Sequence, residues 1–115
     1  MEYVVLHHEG VDQPHFDVMI ETLPGSALAT WRSPCWPIEG PTPLHRLKDH
    51  RRAYLDFEGE LSGHRGRVTR VARGQCEVEV DEDACWIIRL PSDARLGGLI
   101  LENKGGGAWE AKTGG

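Results

Sequence analysis

Apolar and polar residues alternate with a period of two along most of this chain. Gly, Pro or Asp interrupts the alternation roughly every eight to twelve residues. That rhythm predicts an all-β protein: a single-domain antiparallel β-barrel over residues 1–115, with at most one short helix near residues 45–52. Residues 3–8 are apolar on both faces, as in a strand covered on both sides. Residues 15–21 alternate cleanly, with Phe16, Val18 and Ile20 on one face and His15, Asp17, Met19 and Glu21 on the other. A third strand, 27–32, follows the Pro24-Gly25 turn, and Pro34, Pro37, Pro41 and Pro43 mark residues 33–45 as a loop. Alternation resumes over 53–61, and further strands are predicted at 67–73, 76–80, 84–90, 96–102 and 108–112.

A chain of 115 residues buries a real core without metal or disulfide support. No apolar run approaches the ~20 residues that span a bilayer, and the N-terminus enters a strand-like stretch with no leader pattern. The expectation is a soluble, cytoplasmic protein with no membrane partner. Cys35, Cys76 and Cys85 form no CxxC pair and fit a reducing compartment. The net charge of −5 is unevenly spread: residues 46–73 hold eight Lys/Arg against four acids. A basic middle in an acidic chain holds an anion locally while the whole avoids long polyanions.

The densest chemistry lies in His8 and in His15-Phe16-Asp17. His15 and Asp17 share a strand face, and residues 9–14 are a connection short enough to return the chain beside its first strand, bringing His8 close to His15. Two imidazoles and one carboxylate hold a divalent metal and leave coordination positions open, as a catalytic metal requires. That donor set suits Mn²⁺, Zn²⁺ or Fe²⁺. His7 competes with His8, and periodicity does not choose between them. The bland alternative is a solvated polar strand face. A second cluster, Asp49-His50-Arg51-Arg52-Ala53-Tyr54, has the groups that grip a phosphate, with Glu58 on the Tyr54 face to orient them.

Together these segments resemble the 3′-phosphoesterase module of bacterial DNA ligase D and its short stand-alone relatives. The resemblance runs over roughly residues 3–90: Tyr3-Val4-Val5-Leu6-His7-His8, then His15-Phe16-Asp17-Val18-Met19-Ile20-Glu21, Asp49-His50, Tyr54, Phe57-Glu58-Gly59 and Gly63-His64-Arg65-Gly66-Arg67-Val68. It implies a β-barrel enzyme that heals 3′ ends of DNA or RNA–DNA with Mn²⁺, or another divalent transition metal such as Zn²⁺. It makes His8, His15 and Asp17 the metal ligands and His50 and Tyr54 the catalytic residues at the scissile phosphate. It also implies nucleic acid 3′ ends as partner and a DNA ligase or polymerase acting in trans. Two positive charges of the family pattern are missing: Met19 stands in place of an arginine, and Arg32-Ser33-Pro34-Cys35-Trp36-Pro37 lacks a lysine. Arg32, Arg46 and Arg52 are the candidates to bind phosphate instead. Two other readings stay open: a non-haem Fe(II) oxygenase using His15, Asp17 and His50, and a non-catalytic module of the same fold that binds 3′ ends or a repair partner.

Overall fold

The computed structural model describes residues 1–81, 84–93 and 96–114, and the described residues form ten strands in one antiparallel sheet. In chain order these are β1 (Glu2–Glu9), β2 (His15–Glu21), β3 (Leu28–Ser33), β4 (Thr42–His50), β5 (Gly59–Glu60), β6 (Arg67–Gln75), β7 (Glu77–Asp81), β8 (Cys85–Arg89), β9 (Gly98–Gly105) and β10 (Ala108–Thr113). Their order across the sheet is β5-β6-β1-β2-β3-β4-β10-β9-β8-β7. The all-β expectation holds, and the sheet rolls until Trp31 of β3 meets Trp86 of β8 at 5.0 Å between ring centroids.

The ring of backbone hydrogen bonds expected of a barrel does not close, because β5 and β7 remain edges. The join is made by the chain: β6 pairs with β1 as far as Gln75 opposite Glu2, where β1 runs out. After Cys76 the same run pairs with β8 as β7. Cys76 is buried at this junction, its N–H donating to the Met1 carbonyl at 2.7 Å, and burial pushes its thiol up to about 11. The edges carry their own protection, since β5 has two residues and β7 exposes Glu77, Glu79 and Asp81.

Two strand assignments change. The four prolines do not keep residues 42–45 out of the sheet. Pro43 pairs with β10 beyond the last β3 partner at His45, so its missing N–H costs no ladder bond there. Residues 45–50 are therefore strand, and the short helix is a single 3₁₀ turn at Arg52–Leu55. The alternation over 53–61 belongs to this turn and the two-residue β5. Leu55 packs inward while Tyr54 and Phe57 stay half-buried at the rim.

Both faces of β1 are covered, as its sequence required, and so are both faces of β2, although its alternation has a polar face. Tyr3, Val5, Val18 and Ile20 join the large core with Trp31, Trp86 and Trp109. On the other face Val4, Leu6, Met19, Leu28, Leu55 and Val68 form a second apolar cluster beneath Tyr54, Phe57 and Leu61. That second face also carries His8, His15, Asp17 and Glu21, so polar groups and apolar packing compete for one buried surface. Glu21 resolves the conflict with partners. Burial pulls its carboxyl upward, but the Arg52 hydrogen bond, the Glu2 and Gly25 N–H groups and the Arg52 charge outweigh it, and the net shift is downward. No helix of the described residues is long and apolar enough to cross a membrane.

Candidate metal centre

The β1–β2 hairpin sets His8 directly opposite His15, and Asp17 follows two residues along the same face. His8 Nδ1 lies 3.2 Å from His15 Nε2, and His15 Nε2 lies 3.5 Å from Asp17 Oδ1. All three donor atoms fall within 4.8 Å of one another. Donors at ~2.1 Å from a common ion in tetrahedral or octahedral array stand ~3.0–3.4 Å from their neighbours. The two shorter separations fit the edges of a coordination sphere, and the widest exceeds the ~4.2 Å that two such donors span across one ion, so ligation draws His8 and Asp17 slightly together.

The backbone orients both rings. His8 Nε2 is 2.6 Å from the Arg65 carbonyl, and His15 Nδ1 is 2.9 Å from the Gln13 carbonyl. A carbonyl only accepts, so these nitrogens carry the ring protons. In the neutral rings the two remaining nitrogens then present lone pairs to each other. This is the arrangement in which metal-binding histidines are held by their outer hydrogen bonds. Asp17 is only 6% exposed, and its Oδ1 has no hydrogen-bond partner. A buried acceptor left unpaired costs about 1–3 kcal/mol, and more when charged. A proton shared by the two imidazoles would leave that oxygen orphaned, because 3.5 Å is too long for a useful hydrogen bond. A divalent cation held there would satisfy all three atoms.

His7, the rival ligand, faces away. It stacks on Phe16 with centroids 4.4 Å apart and approaches Glu9 at 3.4 Å. His50 is also outside the clustered ligand atoms, so the His15-Asp17-His50 triad of the oxygenase reading is not assembled. Instead His50 closes the end of β4, its Nδ1–H donating to the Lys48 carbonyl at 2.9 Å. That leaves Nε2 as its uncommitted nitrogen. Tyr54 packs beside it, with ring centroids 5.6 Å apart.

A cavity of about 140 Å³ joins these parts, with His8, Asp17, Arg32, His50, Tyr54 and Arg65 around an apolar floor that includes Met19. Arg32 belongs there because β3 sets it directly opposite Asp17. The other two arginines proposed for phosphate do not. Arg46 lies over the Trp31 ring at 4.3 Å, on the large-core side, and approaches Asp49 at 3.5 Å. Arg52 neutralises Glu21 and donates to the Ser26 carbonyl. Glu58 turns away to accept from the Arg70 N–H.

Arg65 is the residue the sequence reading did not single out. It rides on a turn whose Gly63, His64 and Gly66 all have positive φ, closed by the Leu61 N–H on the Gly66 carbonyl at 2.8 Å. Only the glycine pair flanking it hints at a fixed turn. That turn is pressed against the β1–β2 connection: a Cβ on Gly66 would stand 2.2 Å from the Glu9 carbonyl oxygen. Gly66→Ala is accordingly expected to push the Arg65 carbonyl off His8 and weaken metal affinity about 10–100-fold. Titration with Mn²⁺ or Zn²⁺ against a chelating dye measures this, and unchanged affinity would show that the turn does not orient the ligand.

No protein-family model matches the chain, and no curated protein matches it in sequence.

Proposed function

We propose that the protein is a divalent-metal-dependent phosphoesterase that heals 3′ ends of DNA or RNA–DNA, removing a 3′ phosphate or a terminal ribonucleotide. The observation that carries this reading is the cavity itself. The third metal donor, His15, clusters with the other two, His8 and Asp17, which together with His50, Tyr54, Arg32 and Arg65 border one space of about 140 Å³. That is well below the usual size of a pocket for a whole small molecule, and it suits a terminal phosphoryl group with its nearest atoms. His8, His15 and Asp17 would hold Mn²⁺, or another transition metal such as Zn²⁺. When bound, the cation supplies Lewis-acid charge to a phosphoryl oxygen and acidifies water.

The protein's own groups do the rest. Arg32 and Arg65 bring positive charge to the phosphoryl oxygens from two sides, one from the strand facing Asp17 and one from the turn. His50, entering as the imidazolium, would give its Nε2 proton to the departing 3′ oxygen and keep its Nδ1–H on the Lys48 carbonyl. Tyr54 positions the phosphoryl group with its hydroxyl. The Gln13 and Arg65 carbonyls keep the two imidazoles aimed at one point. The three free thiols suit the reducing cytoplasm, where a DNA ligase or polymerase acting in trans would use the healed end.

Strands ending in a 3′ phosphate or a 3′ ribonucleotide, incubated with and without Mn²⁺, test this directly. The expected result is Mn²⁺-dependent phosphate release or one-step shortening on a gel. Binding with no change of the end would favour the second reading, a non-catalytic 3′-end module. The apolar Met19 side chain on the cavity floor is the observation behind that alternative.

A further inference from the structure

The metal cavity shares Tyr54, Leu61 and Arg65 with a neighbouring groove of about 270 Å³, which also has Arg51, Phe57 and Glu60 on its walls. Arg51 and Arg65 are exposed, while Tyr54 and Phe57 are half-buried with ring centroids 5.8 Å apart at 80°. We propose that this groove is a subsite for the nucleotide preceding the reacting 3′ terminus. Its phosphate sits between Arg51 and Arg65, and its base lies against the Tyr54 and Phe57 rings. The inference rests on the phosphoesterase reading of the adjoining cavity and names the substrate's second contact.

Three features support it. The groove borders the cavity along Tyr54, Leu61 and Arg65, so it is the adjoining surface for a chain whose terminal phosphate reaches the metal ligands. Guanidinium groups pair with phosphate oxygens through their N–H donors, and here Arg51 and Arg65 share the walls with a single carboxylate, Glu60. Arg65 is steadied by Ser62, its Nε and Nη2 donating to that residue's carbonyl and hydroxyl, and keeps Nη1 for the phosphate. Aromatic faces accept any base without reading its edge, so recognition there is indifferent to sequence. Glu60 stands where this groove meets a larger outer one lined by Glu9, His64 and Arg67. With two carboxylates on its walls, that outer groove disfavours further phosphates, which limits the footprint to about one added nucleotide.

The test compares thymidine 3′-phosphate, its dinucleotide and a decanucleotide, each bearing a 3′ phosphate, by calorimetric binding to the Mn²⁺-loaded protein, with turnover followed in parallel. The dinucleotide is expected to bind about tenfold tighter than the mononucleotide, and the decanucleotide little better than that. Arg51→Ala should abolish the gain and leave mononucleotide binding and turnover unchanged. Arg51 is exposed and outside the metal cavity, so the variant keeps the fold. Equal affinity for mono- and dinucleotide, absence of binding by either, or a gain that survives Arg51→Ala would overturn the subsite. Length-dependent binding with no dephosphorylation would instead keep the subsite and defeat the phosphoesterase reading.

Discussion

His15→Ala and Asp17→Ala are each expected to abolish both metal binding and turnover, the largest effect of any single change in the protein. His15 Nε2 is the middle donor, 3.2 Å from His8 Nδ1 and 3.5 Å from Asp17 Oδ1. Its removal leaves two donors that do not adjoin. Asp17 supplies the only carboxylate of the three ligands. A stability measurement separates this from simple unfolding. In the metal-free protein Asp17→Asn should preserve or raise the melting temperature, because it removes a buried charge that lacks a hydrogen bond. Excess Mn²⁺ should stabilise the parent protein, by about 2.7 kcal/mol at a hundredfold excess over Kd, and leave the variant unmoved. A variant that still gains stability from the metal would remove Asp17 from the ligand set.

His50→Ala is expected to retain the metal and lose about 10²–10³ in kcat on 3′-phosphate ends, with KM little changed. The reason is positional: His50 comes from the far end of β4, with its Nδ1–H committed to the Lys48 carbonyl, and shares the cavity without joining the three donors. On the proposed mechanism, removing it would take away a proton donor used in the transition state and leave the ground-state contacts of Arg32 and Arg65. Equal metal titration curves with a collapsed kcat would support the division of roles. Full activity in the variant would show that His50 takes no part in the chemistry.

The parts of the molecule that are local in sequence were legible from it. β2 begins and ends where its alternation does, and the pairing of His8 with His15 follows from a short hairpin. Periodicity was silent on His7 against His8 because β1 is apolar on both faces; the structure resolves it by stacking His7 on Phe16. Non-local partners were not legible. Arg52 looked like a phosphate ligand beside His50, yet Glu21, 31 residues earlier, is buried and needs its charge. Arg46 is taken up by the Trp31 and Trp86 rings, contacts that exist only once the sheet has rolled. The alternation at 53–61 misled because a 3₁₀ turn also sends one apolar side chain inward, here Leu55, and lifts its neighbours to the rim. Arg65 was hidden for the same reason, since its carbonyl reaches His8 across 57 positions.

Anomalous diffraction from crystals soaked in MnCl₂ would locate the ion that His8, His15 and Asp17 are proposed to hold. One strong manganese peak is expected, bonded to His8 Nδ1, His15 Nε2 and an Asp17 carboxylate oxygen, with the Arg65 and Gln13 carbonyls still accepting from the two rings. Density for manganese elsewhere, with the two imidazoles bridged by nothing heavier than a proton, would contradict it.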